Sequence, residues 1–359
     1  MFKTLALLLA VTLLGACGSK APQTQPQPAA EVRDVDLRIV FGSCADDDKP
    51  EHPVWDAMLA AQPDLSILLG DNVYADSAKF SAAPSVELMR AEYAKLAASP
   101  GFAALRAAAP MIATWDDHDY GLNDGGKEFG FKSQAQKVFT EFWQLPADDP
   151  RHTREGVYSS RWLQAAAANV QILLLDTRYF RDEQREKRVS ISCSVANYEK
   201  NPTGSVLGAQ QWQWLERELQ KPADLRLIVS SIQVIPEQHC FEKWANFPAD
   251  RARLLDALAN AKGGRAVVLS GDRHLGEISA LPVGAGELAQ AQLVEVTASP
   301  LSARSGFGEG EVNDYRISSD NLRESQFGVL ELVDGELRIE LRDAQGATRF
   351  EHTTALAVD

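Results

Sequence analysis

Six times between residues 37 and 274 the chain runs through a short, mostly apolar stretch and then turns abruptly polar. Leu37–Phe41 runs into Gly42-Ser43-Cys44, and Leu65–Leu69 into Gly70-Asp71, with Tyr74 and Asp76 close behind. Pro110–Thr114 leads to Trp115-Asp116-Asp117-His118-Asp119, and Gln171–Leu175 to Asp176-Thr177-Arg178. Leu225–Val229 ends in Ser230-Ser231, and Ala266–Leu269 in Ser270-Gly271-Asp272-Arg273-His274. Such runs suit strands buried on both faces. Helical patterns fill the intervals at 53–62, 86–99, 134–143, 209–219 and 251–261. The alternation predicts an α/β fold, in which sites form beyond the carboxyl ends of the strands. Late in the chain, 327–333 and 337–341 flank Asp334-Gly335 and predict a β-hairpin closing a sheet edge. No repeat and no second linker interrupts the pattern, so one catalytic domain is expected over 36–352.

The first 16 residues read as an address. Lys3 precedes an apolar run, 5–14, that is far shorter than the ~20 residues a bilayer span needs. The run ends in Leu14-Gly15-Ala16-Cys17, which resembles the bacterial lipobox, so cleavage is expected to leave Cys17 as a lipidated N-terminus. The alternative is an ordinary secretory signal with a chance cysteine. Residues 17–35, rich in Pro, Gln and Ala, are expected to be a flexible tether. These features predict a protein of the bacterial cell envelope, anchored to a membrane by its lipid and facing the periplasm or the outer surface. In that oxidising setting Cys193 and Cys240, both in loop-like stretches, are expected to pair, which leaves Cys44 for another use. The net charge of −14 offers no broad basic surface, and no nucleic-acid partner is expected.

Taken together, Gly-Ser-Cys44, Gly70-Asp71-x-x-Tyr74, Trp115-Asp116-Asp117-His118, Asp176-x-Arg178 and Gly271-Asp272-x-His274 resemble, in that order, the motifs of the PhoD-like alkaline phosphatases and phosphodiesterases. That family is a branch of the calcineurin-like metallophosphoesterases. The resemblance implies a four-layer α/β/β/α sandwich with metals at one edge of the β-sandwich. It also implies a mixed Fe(III)–Ca²⁺ centre, whereas the residues by themselves imply two metals, one with softer ligands. Asp71 on a glycine turn can bridge two cations. Cys44 and Tyr74 offer thiolate and phenolate to the first, and His274 is a further candidate metal ligand. Asp117, Asn123 and Asp272 offer oxygens to the second. Asp116 is expected to cap or orient its neighbours.

The expected chemistry is hydrolysis of a phosphate mono- or diester by hydroxide held between the cations. His118 aligns with the superfamily's catalytic histidine and is assigned leaving-group protonation or phosphate contact. Arg178 is expected to present a guanidinium fork to the phosphate, or else to form an ion pair with Asp176. The segment from Gln233 to Phe247 is expected to be a lid, with His239 and Trp244 touching substrate. The competing readings are a phospholipase-D-like diesterase acting on lipid head groups and a non-catalytic metal-binding lipoprotein.

Overall fold

The computed structural model describes residues 35–356, except 47, 50, 77–83, 166–167, 187–197, 283–291 and 305–308. Cys17 and Cys193 lie outside the described residues. The first half runs β1 (Leu37–Gly42), α1 (Val54–Ala60), β2 (Leu65–Leu68), α2 (Val86–Ala98), α3 (Pro100–Ala108), β3 (Met111–Ala113), α4 (Asp117–Tyr120), α5 (Lys132–Phe142), β4 (Ser159–Ala165) and β5 (Ala168–Leu174). There follow β6 (Arg185–Glu186), β7 (Tyr198–Glu199), α6 (Gly208–Leu219), β8 (Ala223–Val229), α7 (Pro248–Ala259), β9 (Gly263–Ser270), β10 (Gly276–Pro282) and β11 (Gln292–Ala298). β12 (Gln326–Val333), β13 (Glu336–Asp343) and β14 (Thr348–Ala355) end the series.

Two six-stranded sheets result, ordered β14-β13-β12-β1-β2-β3 and β10-β11-β9-β8-β5-β4. In the first, β1, β2 and β3 are parallel, and β12 joins antiparallel with Leu330 opposite Ile39. In the second, β5, β8, β9 and β11 are parallel, while β4 and β10 are antiparallel edges. Alternation of side chains explains the layering. Leu37, Ile39 and Phe41 point between the sheets with Ile172, Leu227 and Val267, whereas Val40 packs against the helices of its own sheet. One helical layer places Trp55, Leu105 and Phe139 on the first sheet; the other places Trp212, Leu215 and Leu254 on the second. With both faces of each sheet covered, the central strands are mainly apolar, and buried polar side chains such as Gln171 and Arg226 are hydrogen-bonded to one another. The chain from Asp34 onward forms one unit, and the expected α/β/β/α sandwich is the observed one.

Departures have local causes. The helix expected over 86–99 is followed at once by a second, because Pro100 cannot continue α2 but is well placed to start α3, with Ser99 as the shared cap. The domain was expected to end at 352, yet β14 continues to Ala355. Its Thr, Arg and Glu side chains face outward from a sheet edge and carry little apolar signal. β4 is equally polar, with Arg161, Trp162 and Gln164 directed outward.

Candidate metal centre

The strand ends converge where the two sheets meet. Ser43 N donates to Ala298 O (3.1 Å) and Leu301 N to Ser43 O (2.8 Å), tying the end of β1 to the end of β11. Two glycines permit the approach. A Cβ on Gly271 would lie 2.2 Å from Ser43 Oγ. Gly70 has φ +113°, and a Cβ there would meet Asp116 Cβ at 2.6 Å. Cys44, Asp71, Asp272 and His274 themselves have positive φ, so tight left-handed turns aim their side chains into one volume.

Three groups of ligand-type atoms, each lying within 4.8 Å of one another, fill that volume: Cys44, Asp71 and His274; Asp71, Asp117 and His118; Asp116, Asp117 and Asp272. Asp71 and Asp117 are shared, so the groups form a continuous chain. Cys44 Sγ lies 3.3 Å from Asp71 Oδ2 and accepts from Ser299 Oγ at 3.1 Å. Tyr74 Oη is 3.1 Å from His274 Nε2, whose ring is oriented by Nδ1 against Arg304 O at 2.5 Å. Asp124 N donates to Asp117 Oδ2 (2.7 Å), leaving Asp117 Oδ1 without a hydrogen-bond partner.

Charge is concentrated here beyond what burial tolerates. Desolvation pushes the Cys44 thiol up to about 12 and holds Asp71, Asp272 and Tyr74 well above their ordinary ranges, with neighbouring carboxylates adding to the effect. A bound cation would reverse that order and ionise the thiol and carboxylates together. Burial opposes protonation of His118, but Asp117 and Asp76 outweigh it and raise it to about 9; its Nδ1 sits 3.0 Å from Asp76 Oδ2. Burial lowers His274 to about 4.

Arg178 is not the open phosphate fork expected of it. Its side chain is fully buried, Nε donates to Asp116 Oδ1 (2.5 Å), and Nη1 donates to Glu242 Oε2 (2.5 Å). Nor does its guanidinium pair with Asp176, which accepts instead from Trp115 Nε1 and from the backbone of Val157, Arg178 and Tyr179. Glu242 continues the chain of charges to Arg181 Nε at 3.0 Å. Asp116 does orient its neighbours, through the capping box with Asp119 at the start of α4 and through Arg178. It also joins Asp117 and Asp272 as a candidate ligand. Asn123 is exposed, its amide donating to Asp124 Oδ2 (3.1 Å), one residue before the backbone N–H that donates to Asp117. Trp244 belongs to the core under the second sheet; it is fully buried against Trp212 with Nε1 donating to Ser230 Oγ. The segment 233–247 is therefore a buried wall and not a lid. Glu295 ties its first residues to β11, accepting from Val234 N (2.9 Å) and Ile235 N (2.5 Å). His239 sits in that wall, 6% exposed. Cys240 is disulfide-bonded. Sequence reasoning missed Ser299, Asp76 and Glu242. Ser299 carried a usable signal, since 293–298 alternates apolar residues with Glu295 and Thr297, as a strand does, before a polar residue.

A paired-sheet sandwich with carboxylates, thiol and imidazole gathered at its strand ends is the fold of the metal-dependent phosphoesterases. The chain belongs to the PhoD-like phosphatase family, whose model matches residues 39–350. It is 25% identical over 300 residues to alkaline phosphatase D of Bacillus subtilis (strain 168), covering 73% of this chain and 49% of that protein. It thus spans about half the length of that curated relative. The solved structure of PhoD matches with a TM-score of 0.68 at 18% identity, covering 89% of this chain and 68% of that one. GAP50, described as the anchor in the inner membrane complex of Plasmodium, matches with a TM-score of 0.52 at 10% identity, covering 89% and 88%.

Proposed function

We propose that this chain is an exported, metal-dependent phosphoesterase hydrolysing phosphate mono- or diesters. One observation carries the reading: Asp71 lies between a Cys44–His274 group and an Asp117–His118 group, as a carboxylate shared by two cations must. Cys44, Asp71 and His274, with Tyr74 alongside, would hold the cation with softer ligands. Asp117, Asp272 and Asp116 would hold the second. Iron with calcium is the pair that the family resemblance suggests for these donors. Bound there, two cations supply Lewis-acid activation of the phosphoryl group and of water. His118, its Nδ1 held 3.0 Å from Asp76 Oδ2, is placed to give a proton to the departing alkoxide. Arg178 is a positioning residue that holds Asp116.

Export and anchoring through Cys17 are supported by the lipobox-like leader. A disulfide at Cys240, with Cys193 the proposed partner, suits an oxidising compartment. The family relative named an alkaline phosphatase supports the activity. A second reading, a non-catalytic metal-binding lipoprotein, draws on the fold shared with a protein described as an anchor.

The test uses the mature chain loaded with iron and calcium and compares nitrophenol release from nitrophenyl and bis-nitrophenyl phosphate. Turnover abolished by Asp71→Asn supports the phosphoesterase, and the faster substrate separates monoesterase from diesterase. Head-group release from phosphatidylcholine vesicles, without turnover of either aryl ester, would make it the phospholipase-D-like enzyme. Bound metal with no turnover on any of the three would favour the binding protein.

A further inference from the structure

Next to Asp272, on the side of the wall formed by 239–243, lies a cluster that the metal chemistry does not use. His239 is 6% exposed, and neither of its ring nitrogens has a hydrogen-bond partner among the described residues. A buried imidazole with both nitrogens unsatisfied requires an explanation. It is absent from every metal-capable group among the described residues, so the carboxylates and thiol do not supply one. Arg273, 4% exposed, places its guanidinium over the Phe241 ring at 3.9 Å, and its Nε has no hydrogen-bond partner among the described residues. Nη2 of Arg273 meets Glu311 Oε2 at 2.5 Å. Lys243 adds a third basic group, its Nζ donating to His239 O, Phe241 O and Asn246 Oδ1 and so fixing the turn that carries the imidazole. The fields of Arg273 and Lys243 both reach the His239 ring. Asp272 also faces Arg273, but its charge is the one the metal reading assigns to a cation. Glu242 also faces Lys243 but is held by Arg178 and Arg181, which leaves Glu311 as the carboxylate paired to Arg273. Unfilled donors and surplus positive charge together describe an anion site.

We propose that Arg273 and His239 form an anion-binding subsite beside the metal centre, one that takes the phosphate oxygens of the substrate and has the Glu311 carboxylate as its internal competitor. The proposal rests on the phosphoesterase reading and gives Arg273 the phosphate-contacting part that Arg178, engaged with Asp116 and Glu242, does not fill. The phosphate of substrate or product would displace Glu311 from Nη2 and accept from Arg273 Nε and from His239. No covalent step is involved.

The probe is inorganic phosphate, titrated calorimetrically into the metal-loaded full chain, with metal content measured for every variant. Glu311→Gln keeps the shape of the side chain and removes its charge, while Arg316 Nη2, donating to Glu311 O at 2.9 Å, still holds the backbone. It is expected to tighten phosphate binding about tenfold and to lower KM for nitrophenyl phosphate with kcat within about twofold. Arg273→Lys and His239→Asn are each expected to weaken phosphate about tenfold or more while metal content stays at the wild-type level. Unchanged phosphate affinity in Glu311→Gln overturns the proposal. So does loss of metal in His239→Asn, which would make the imidazole a ligand. The two readings fail separately: tighter phosphate binding in Glu311→Gln without turnover of any ester keeps the subsite and sinks the phosphoesterase. Turnover abolished by Asp71→Asn, with phosphate affinity unmoved in Glu311→Gln, does the reverse.

Discussion

Arg178→Met separates a structural strut from a substrate fork. The guanidinium has no exposed surface and joins two buried carboxylates, Asp116 and Glu242, each about 1% exposed. Methionine fills much of the same volume but removes the charge that joins them, and Glu242 then keeps Arg181 Nε, at 3.0 Å, as its remaining cationic partner. Breaking a buried pair in this way costs about 3–5 kcal/mol. Unfolding entropy of about 2.1 cal/mol/K per residue over a domain of about 320 residues comes to about 0.7 kcal/mol/K. The expected fall in Tm is therefore about 4–7 °C, read by differential scanning calorimetry on metal-loaded protein. The double variant Arg178→Met/Glu242→Leu should recover none of that loss, because removing Glu242 takes the carboxylate partner from the buried Arg181. Asp116 would still accept from Ser231 Oγ at 2.6 Å. A Tm within about 1 °C of wild type, together with a fall of about a hundredfold or more in kcat/KM, would refute the strut and restore the fork.

Three further outcomes follow from the same geometry. Gly70→Ala should cost about 2 kcal/mol or more and weaken metal retention, since its φ of +113° and the 2.6 Å approach to Asp116 Cβ leave no room for a methyl group; an unchanged Tm and metal content would contradict this. Chelation should lower the Tm of the wild type, by about 2.7 kcal/mol of stability when the free metal had stood at a hundred times its Kd, and should leave Asp71→Asn unmoved. Burial and nearby cations hold His239 well below its ordinary value, so the unfolded chain binds the extra proton first. Its contribution is fully present above about pH 6.5 and is lost as the pH falls below that, at up to about 1.4 kcal/mol per pH unit. Denaturant titrations at pH 7 and pH 5 should therefore show a shallower loss in His239→Asn than in the wild type, and parallel slopes would discard the argument.

Legibility in this chain followed the range of the forces. β1, β2, β5, β8 and β9 were visible because burial on both faces demands mostly apolar runs, and a run of four or five residues announces itself locally. β4 and β14 were not, since an edge strand keeps one side in water and its composition resembles a loop. The same division holds in the site. Cys44, Asp71, Asp117, Asp272 and His274 each follow directly on a strand or its turn, so the sequence by itself determined that ligand-type atoms would gather at one edge of a sandwich. The roles of its arginines were decided by tertiary structure alone. Arg178 and Arg273 look alike as residues just beyond a strand. Yet one meets Glu242, 64 residues further on, and the other meets Glu311 and the unpartnered ring of His239. Trp244, aromatic within a polar stretch, could equally have faced substrate or core until Trp212 and Ser230 closed around it. Spacing along a chain specifies which side chains leave a strand together. The partner that each then meets depends on distant segments brought into contact by packing, and in a low-dielectric interior that partner sets whether a charge is a strut, a ligand or a binding group.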